Sequence, residues 1–438
     1  MTKQLRFQRM LDFLRRNLEG VPEHRTGQNT TYSIVDAGLS AFSVFYMQSS
    51  SFLAHQRDMQ RKKGENNAQG LFGIEQIPSD GQIRNLLDPV QAGQLREPFW
   101  DIYHRLDEGG YLKKHVGVKG TRLVSLDGSQ YFSSQKIHCP NCRVTVRDEK
   151  TYYSHAMLLA VLSAPDQKQV FCLDPEFMTP QDGHEKQDCE QQAIKRWVKR
   201  NAKRFEPWSV TILTDDLHCH QPLCDLLLEH KMHFILTCKP DSHKTLYEEL
   251  ALLEKVEGGV SSKVVRHWNG REYERWVYRW AEHLPLRGDA KTLYVSWCEL
   301  TITNETTGEQ LYHCAWATDY SLHEHLVVEV VASGRSRWKV ENEGFNVLKN
   351  HGYHFEHNFG HGKQHLSTVL LTLLILAFLF HSVLDLCCLM YQAVRRELAV
   401  RRTFFNDLRA LTRYLYFDSW QRLITFMYQR LDLDPESG

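Results

Sequence analysis

The chain has 438 residues, 42% of them hydrophobic, so it is long enough to bury a large core and to form about two to three domains. Its formal net charge is zero, which excludes the overall basic character of many nucleic-acid-binding proteins and leaves only local basic patches for that role. The 11 cysteines are dispersed and the first residues lack an apolar signal region, which predicts reduced thiols in a cytoplasmic protein.

Residues 1–120 are predicted to be mostly helical. Apolar residues recur at helical spacing between Leu5 and Leu18, and Ser33 or Asp36 is placed to cap a second helix. Scattered arginines and glutamines make this region compatible with DNA binding and equally with a plain helical bundle. The pattern contains no helix-turn-helix motif that decides between the two.

Residues 121–240 change to an α/β pattern. Three strands are expected first, followed by a helix, a strand, a helix and a strand, at 121–132, 152–165, 169–177, 189–205, 209–215, 222–230 and 232–239. This order is typical of a ribonuclease-H-like core, because a doubly wound nucleotide-binding fold alternates strand and helix from its start.

The rest of the chain, residues 241–438, is predicted to insert a β region into this core and then to supply the core's last part and a helical tail. Residues 241–330 form a mostly β insertion with a turn at Asn269 and Gly270. Residues 331–392 contain the second part of the core, which starts with a charged helix, and 393–438 form a basic helical tail. The apolar run 369–380 is shorter than the ~20 residues that span a bilayer, so a buried core helix is favoured over a membrane span.

Three carboxylate positions stand out in this arrangement. Asp127 and Asp215 each follow an apolar strand, and Glu341 or Glu343 lies near the start of the charged helix. Singly, an aspartate before a glycine is usually a turn residue, and acidic residues at a helix start usually balance the helix dipole. Together they occupy places where one site for two divalent metals can form, and Gly128 would let a nucleic-acid backbone approach closely.

These segments resemble the DDE transposases of bacterial insertion sequences, in the subgroup with a β-strand insertion and a Tyr/Arg/Glu/Lys-type signature. The signature residues here are Arg337, Glu341 and Lys349. The family's tyrosine falls on Gly334, and the spacing from Glu341 to Lys349 is one residue longer than usual. The block 180–190 also resembles one branch of these enzymes, and the resemblance covers about 121–384.

The resemblance implies metal-dependent cleavage of DNA at transposon ends, followed by strand transfer into target DNA. Asp127, Asp215 and Glu341 would hold two Mg²⁺ or Mn²⁺ ions, with Glu343 as the alternative third ligand. Arg337 and Lys349 would contact phosphate. The implied partners are terminal inverted repeats and target DNA, bound by at least a homodimer, with no membrane association and a nucleoid-associated location in the cytoplasm.

Several interpretations are compatible with these residues. Trp338 either stacks on a displaced base or packs in the core, and the core is favoured. A ribonuclease-H-like nuclease without strand transfer, or a transposon-derived DNA-binding protein without catalysis, would share many of these features.

A second metal site is suggested by the C-x₂-C pair Cys139 and Cys142, which is half of a zinc site. A hairpin turn with two free thiols is the favoured interpretation, because no second pair of zinc ligands follows at standard spacing. The candidate partners are His155, His184, Cys189, His218, Cys219, His220 and Cys224.

Overall fold

A computed structural model of the chain describes residues 5–26, 31–59, 66–180 and 186–433. The N-terminal part is helical, as predicted, and its α-helices are α1 (Phe7–Glu19), α2 (Ile34–Tyr46), α3 (Phe52–Met59), α4 (Asn67–Phe72), α5 (Asp80–Leu87) and α6 (Glu97–Glu108). The Ser33 hydroxyl accepts the Asp36 N–H at the start of α2, and Ser79 caps α5 in the same way.

An α/β region follows. It contains β1 (Arg122–Ser134), β2 (Arg143–Arg147), β3 (Lys150–Ser163), β4 (Phe171–Cys172), β5 (Glu176–Phe177), α7 (Lys186–Asn201), β6 (Val210–Thr214), α8 (Gln221–Glu229), β7 (His233–Thr237) and α9 (Lys244–Leu253). In the sheet, β3 lies antiparallel to β1 and also pairs with β4 and β5. On the other side of β1, β6 and β7 lie parallel to it.

The predicted β-rich stretch extends this same sheet. It contains β8 (Ser261–Trp268), β9 (Tyr273–Pro285), β10 (Tyr294–Asn304) and β11 (Gln310–Thr318), which pair as consecutive antiparallel neighbours. Trp316 of β11 pairs with Thr237 of β7, so the described residues form one mixed sheet of 11 strands.

The chain then returns to helix. The elements are α10 (Leu326–Arg335), a π-helical segment (Val340–Phe345), α11 (Asn346–Asn350), α12 (Leu366–Cys387), α13 (Leu389–Glu397), α14 (Arg401–Tyr414) and α15 (Trp420–Arg430). Val327, Val330 and Val331 of α10 pack in one apolar cluster with Leu213 and Ile235 of the sheet. This packing fixes the direction in which the chain enters the π-helical segment.

Helix α12 is the centre of the helical layer. It has 22 residues and a hydropathy of 2.4, so by length and composition it is able to cross a membrane. Within the protein, however, 83% of its most apolar window is buried, which is consistent with a core helix of a soluble protein and agrees with the sequence-based expectation.

The N-terminal helices and the C-terminal tail pack together around α12. The ring of Phe7 in α1 lies 5.1 Å from that of Trp420 in α15. The Asn67 amide donates to the carbonyls of Thr412 and Leu415 at 2.7 and 2.8 Å. The two ends of the chain therefore share one hydrophobic core.

Candidate active site

Asp127 and Asp215 are brought together by the register of two parallel strands. Ser125 of β1 pairs with Leu213 of β6, and each aspartate lies two residues beyond its member of that pair. Adjacent strands are about 4.8 Å apart and alternate residues share a face, so both carboxylates lie on the same side of the sheet. The expectation that Asp127 ends its strand was wrong, since β1 continues to Ser134; β6 ends at Thr214 instead.

Asp127 lies among other acidic groups. Burial raises the pKa of its carboxyl to about 6; the positive charge of Arg337 opposes this rise, and the negative charges of Asp215, Glu341 and Glu190 add to it. Four side chains from three separate stretches of the sequence therefore act on one carboxylate.

Glu190 was not singled out from the sequence, although it lies in the block 180–190. Its side chain is 4% exposed and lies against Gly128. A Cβ added at Gly128 would be 2.6 Å from Glu190 Oε1 and 2.7 Å from its Cδ. The expectation that Gly128 leaves room for nucleic acid is therefore wrong in this respect, because the glycine makes room for a fourth carboxylate.

His218 lies between two of these acids without a hydrogen bond to either, and the sequence indicated it only as a partner for zinc. Its Nε2 lies 3.5 Å from Glu190 Oε2 and 3.6 Å from Asp215 Oδ1, and its side chain is 1% exposed. The adjacent Asp216 has a structural task, because its carboxylate accepts the Lys239 N–H at 2.7 Å and the Ser242 hydroxyl at 2.6 Å.

The π-helical segment supplies Glu341. Arg337 Nη1 lies 2.8 Å from Glu341 Oε1, so the signature arginine and glutamate form an ion pair beside Asp127. Glu343 projects elsewhere and lines a separate cleft with Lys168 and Arg396. Residues two apart on a helix do not share a face, which explains why only one of the two glutamates lies near Asp127.

Lys339 anchors this segment to the sheet. It is 5% exposed, and its ammonium group donates to the carbonyls of Ala164, Pro165 and Gln167 just after β3. Burial lowers the pKa of Lys339, and the charges of Glu343 and Asp166 oppose that effect. These contacts of Lys339 join the π-helical segment that carries Glu341 to the end of β3, the strand that pairs with β1.

The predicted DNA-contacting residues are all at least partly exposed. Arg337 and Asp215 both line an open cleft of about 420 Å³. Trp338 is 44% exposed, so the favoured expectation that it packs in the core was wrong. Lys349 Nζ lies 3.0 Å from Glu356 Oε1 and over the rings of Phe345 and Phe355.

Cys139 and Cys142 belong to a different place in the fold. They lie in the turn between β1 and β2 and meet His155 and His361. Of these two histidines, only His155 was among the partners considered from the sequence. His361 lies more than 200 residues from the cysteine pair along the chain, and no local spacing rule connects them.

The chemical character of the acidic site is set by excess negative charge. Asp127, Asp215, Glu190 and Glu341 are all carboxylates, and Arg337 already pairs with Glu341. One Asp215 oxygen is buried and has no hydrogen-bond partner among the described residues. Oxygen ligands of this kind suit Mg²⁺ or Mn²⁺, which would favour the ionised form of Asp127.

No known protein-family model matches the chain, and comparison with curated protein sequences finds no significant match.

Proposed function

We propose that this protein is a DDE-type transposase that cleaves DNA at transposon ends and joins the freed end to target DNA. The observation that carries the proposal is the convergence of Asp215, Glu341 and Arg337 on the half-buried Asp127. These residues come from two strands and a helix that are far apart in sequence, in the order that the resemblance requires.

The strand arrangement supports a ribonuclease-H-like core. β4 and β5 pair with β3, β3 lies antiparallel to β1, and β6 and β7 continue the sheet in parallel with β1. Three antiparallel neighbours followed by two parallel strands is the pattern expected of that core. β8–β11 precede the Glu341 segment in the chain, as an inserted β region would.

Both departures from the family signature have a physical reason in this fold. A Cβ at Gly334, where the family has tyrosine, would lie 2.7 Å from Trp316 Nε1 and 3.0 Å from Ile235 Cγ2, so no larger side chain fits there. The extra residue between Glu341 and Lys349 coincides with the π-helical segment Val340–Phe345. A π-helix bonds i to i+5 and therefore accommodates one additional residue in a turn.

The proposed roles follow from these positions. Asp127, Asp215 and Glu341 would hold two divalent cations, whose chemistry would be to activate the attacking oxygen and to stabilise the leaving one. Glu190 adds a negative charge beside Asp127, and His218 Nε2 lies 3.6 Å from Asp215 Oδ1. Arg337 both orients Glu341 and presents its guanidinium to the cleft, where it contacts a DNA phosphate. Trp338 is exposed enough to stack on an unpaired base.

The test is a cleavage and strand-transfer assay on the DNA that flanks the coding sequence and contains its terminal inverted repeats. With Mg²⁺ present, Asp127→Asn, Asp215→Asn and Glu341→Gln are each expected to lower product formation by at least about 100-fold. Gel-shift binding to the same DNA should persist, because these changes remove negative charge from the surface that DNA approaches.

Glu343→Gln is the matched control. It makes the same chemical change two residues along the same segment, on a side chain that faces another cleft, and should retain activity within a few-fold of the unchanged protein. Activity in Glu341→Gln together with its loss in Glu343→Gln would overturn the assignment of the third carboxylate. Cleavage without joined product would indicate a nuclease, and binding without cleavage a DNA-binding protein.

A further inference from the structure

Four side chains of metal-binding types lie together near the C-terminal end of β1, away from the acidic site. Cys139 and Cys142 lie in the turn after β1, His155 lies on β3 opposite Phe132 of β1, and His361 lies in the loop before α12. Each of the four is at most 9% exposed. Asp127 is five residues before Phe132 along the same strand, roughly 15 Å away.

The distances within this cluster match a tetrahedral zinc site. The two sulfur atoms are 3.8 Å apart, and His155 Nε2 lies 3.4 Å from each of them. His361 Nε2 lies 3.5 Å from Cys142 Sγ. Zinc–sulfur bonds of about 2.3 Å and zinc–nitrogen bonds of about 2.0 Å at tetrahedral angles require separations of about 3.8 Å between sulfurs and about 3.5 Å between sulfur and nitrogen.

We propose that Cys139, Cys142, His155 and His361 bind one zinc ion as a structural site. Two thiolates and two imidazoles form a ligand set that zinc prefers over Mg²⁺ or Ca²⁺. All four tetrahedral positions are filled by protein, which leaves no open position for a substrate and assigns the site to stability. A sulfur separation of 3.8 Å also places the two thiols too far apart for a disulfide.

The site ties the sheet to the helical layer. His361 belongs to the loop that leads from α11 to α12, and the cysteines belong to the turn after β1. Two further contacts hold this loop: the Asn141 amide donates to the Gln364 carbonyl at 2.8 Å, and the Asp88 carboxylate accepts backbone N–H groups from Lys363 to Leu366. Zinc would be the strongest of these connections.

The experiment measures metal content in the full chain, purified without chelator from cells supplied with zinc. Elemental analysis should give about one zinc ion per chain. Cys142→Ala and His361→Ala should each lower this to below about 0.2. Cys172→Ala removes a buried cysteine outside the cluster and His138→Ala a histidine beside it, and both controls should keep the zinc.

A second measurement does not depend on the folding of variants. In the unchanged protein, Cys139 and Cys142 should resist alkylation until a zinc chelator is added, as mapped by mass spectrometry, and chelation should lower Tm. Less than about 0.2 zinc per chain in supplemented protein, or zinc retained by Cys142→Ala and His361→Ala, would overturn the proposal. Neither readout uses DNA or Mg²⁺, so the result is independent of the transposase assay.

Discussion

Replacing Lys339 with methionine tests whether the segment that carries Glu341 is held in place by one buried ammonium group. Methionine keeps the length and the apolar part of the lysine side chain, so the packing of the segment should change little. The change removes the donor to the carbonyls of Ala164, Pro165 and Gln167.

The expected loss of stability follows from those three contacts. A buried acceptor that loses its partner costs about 1–3 kcal/mol, and water can reach part of this region because Asp166 and Lys168, on either side of Gln167, are exposed. Removal of the charge also relieves the desolvation that lowers the pKa of Lys339. The net destabilisation should therefore be about 2–4 kcal/mol, less than the sum of three separate losses.

Lys349→Met is the matched control for this experiment. Lys349 lies on the next helix and pairs with Glu356 at 3.0 Å, with 31% and 61% of the two side chains exposed. An exposed ion pair of this kind contributes less than about 1 kcal/mol. Urea unfolding followed by circular dichroism should thus show a clear shift of the midpoint for Lys339→Met and almost none for Lys349→Met.

The variant with the smaller effect on stability should have the larger effect on DNA binding. Lys349→Met should weaken binding and reduce its salt dependence, since Lys349 is proposed to contact phosphate, whereas Lys339→Met at a temperature where it remains folded should bind normally. A Lys339→Met protein with an unchanged unfolding midpoint would refute the anchoring role and the reasoning from its three carbonyl contacts.

Three further predictions concern other parts of the fold. Burial lowers the pKa of His55 to about 4 from its ordinary 6.5, so His55 in the unfolded chain takes up a proton first as the pH falls. The contribution of His55 to stability is complete above pH 6.5 and decreases by up to about 3 kcal/mol down to pH 4. His55→Gln should flatten that decrease in urea unfolding measured across this range, and an unchanged slope would contradict it. Gly128→Ala should displace Glu190 and destabilise the protein by about 1–3 kcal/mol. Gly81→Ala is the control, because a Cβ at Gly81 would meet open space, and it should lower Tm by no more than about a degree. Equal Tm changes in the two variants would refute the argument that Glu190 fills the space beside Gly128. Asp174→Asn should lower the free energy of unfolding by about 3–5 kcal/mol, because this fully buried carboxylate pairs with Arg200 at 2.9 Å. A Tm within a degree of the unchanged protein would argue against this prediction.

Local pattern was sufficient for much of the fold. The alternation of apolar and polar residues predicted β1, β3, β6 and β7 close to their observed bounds, because a half-buried or buried strand must place its apolar side chains with period two or in a short run. The length of the apolar run near Val369 indicated a core helix, and its burial within α12 agrees. The local pattern also drew attention to Asp215 at the end of a strand and to Glu341 near a helix start, whereas Asp127 lies within β1 rather than at its end.

Only the tertiary structure decided which side chains face each other. The spacing from Arg337 favoured Glu341 and left Glu343 as the alternative, and the rotation of the π-helical segment separates the two side chains. Glu190 reaches Asp127 because helix α7 packs over Gly128, a contact that no periodicity encodes. His361 joins Cys139 and Cys142 across more than 200 residues. Sequence pattern is governed by local backbone geometry and burial, whereas the two sites depend on long-range packing that sets the position of each helix on the sheet.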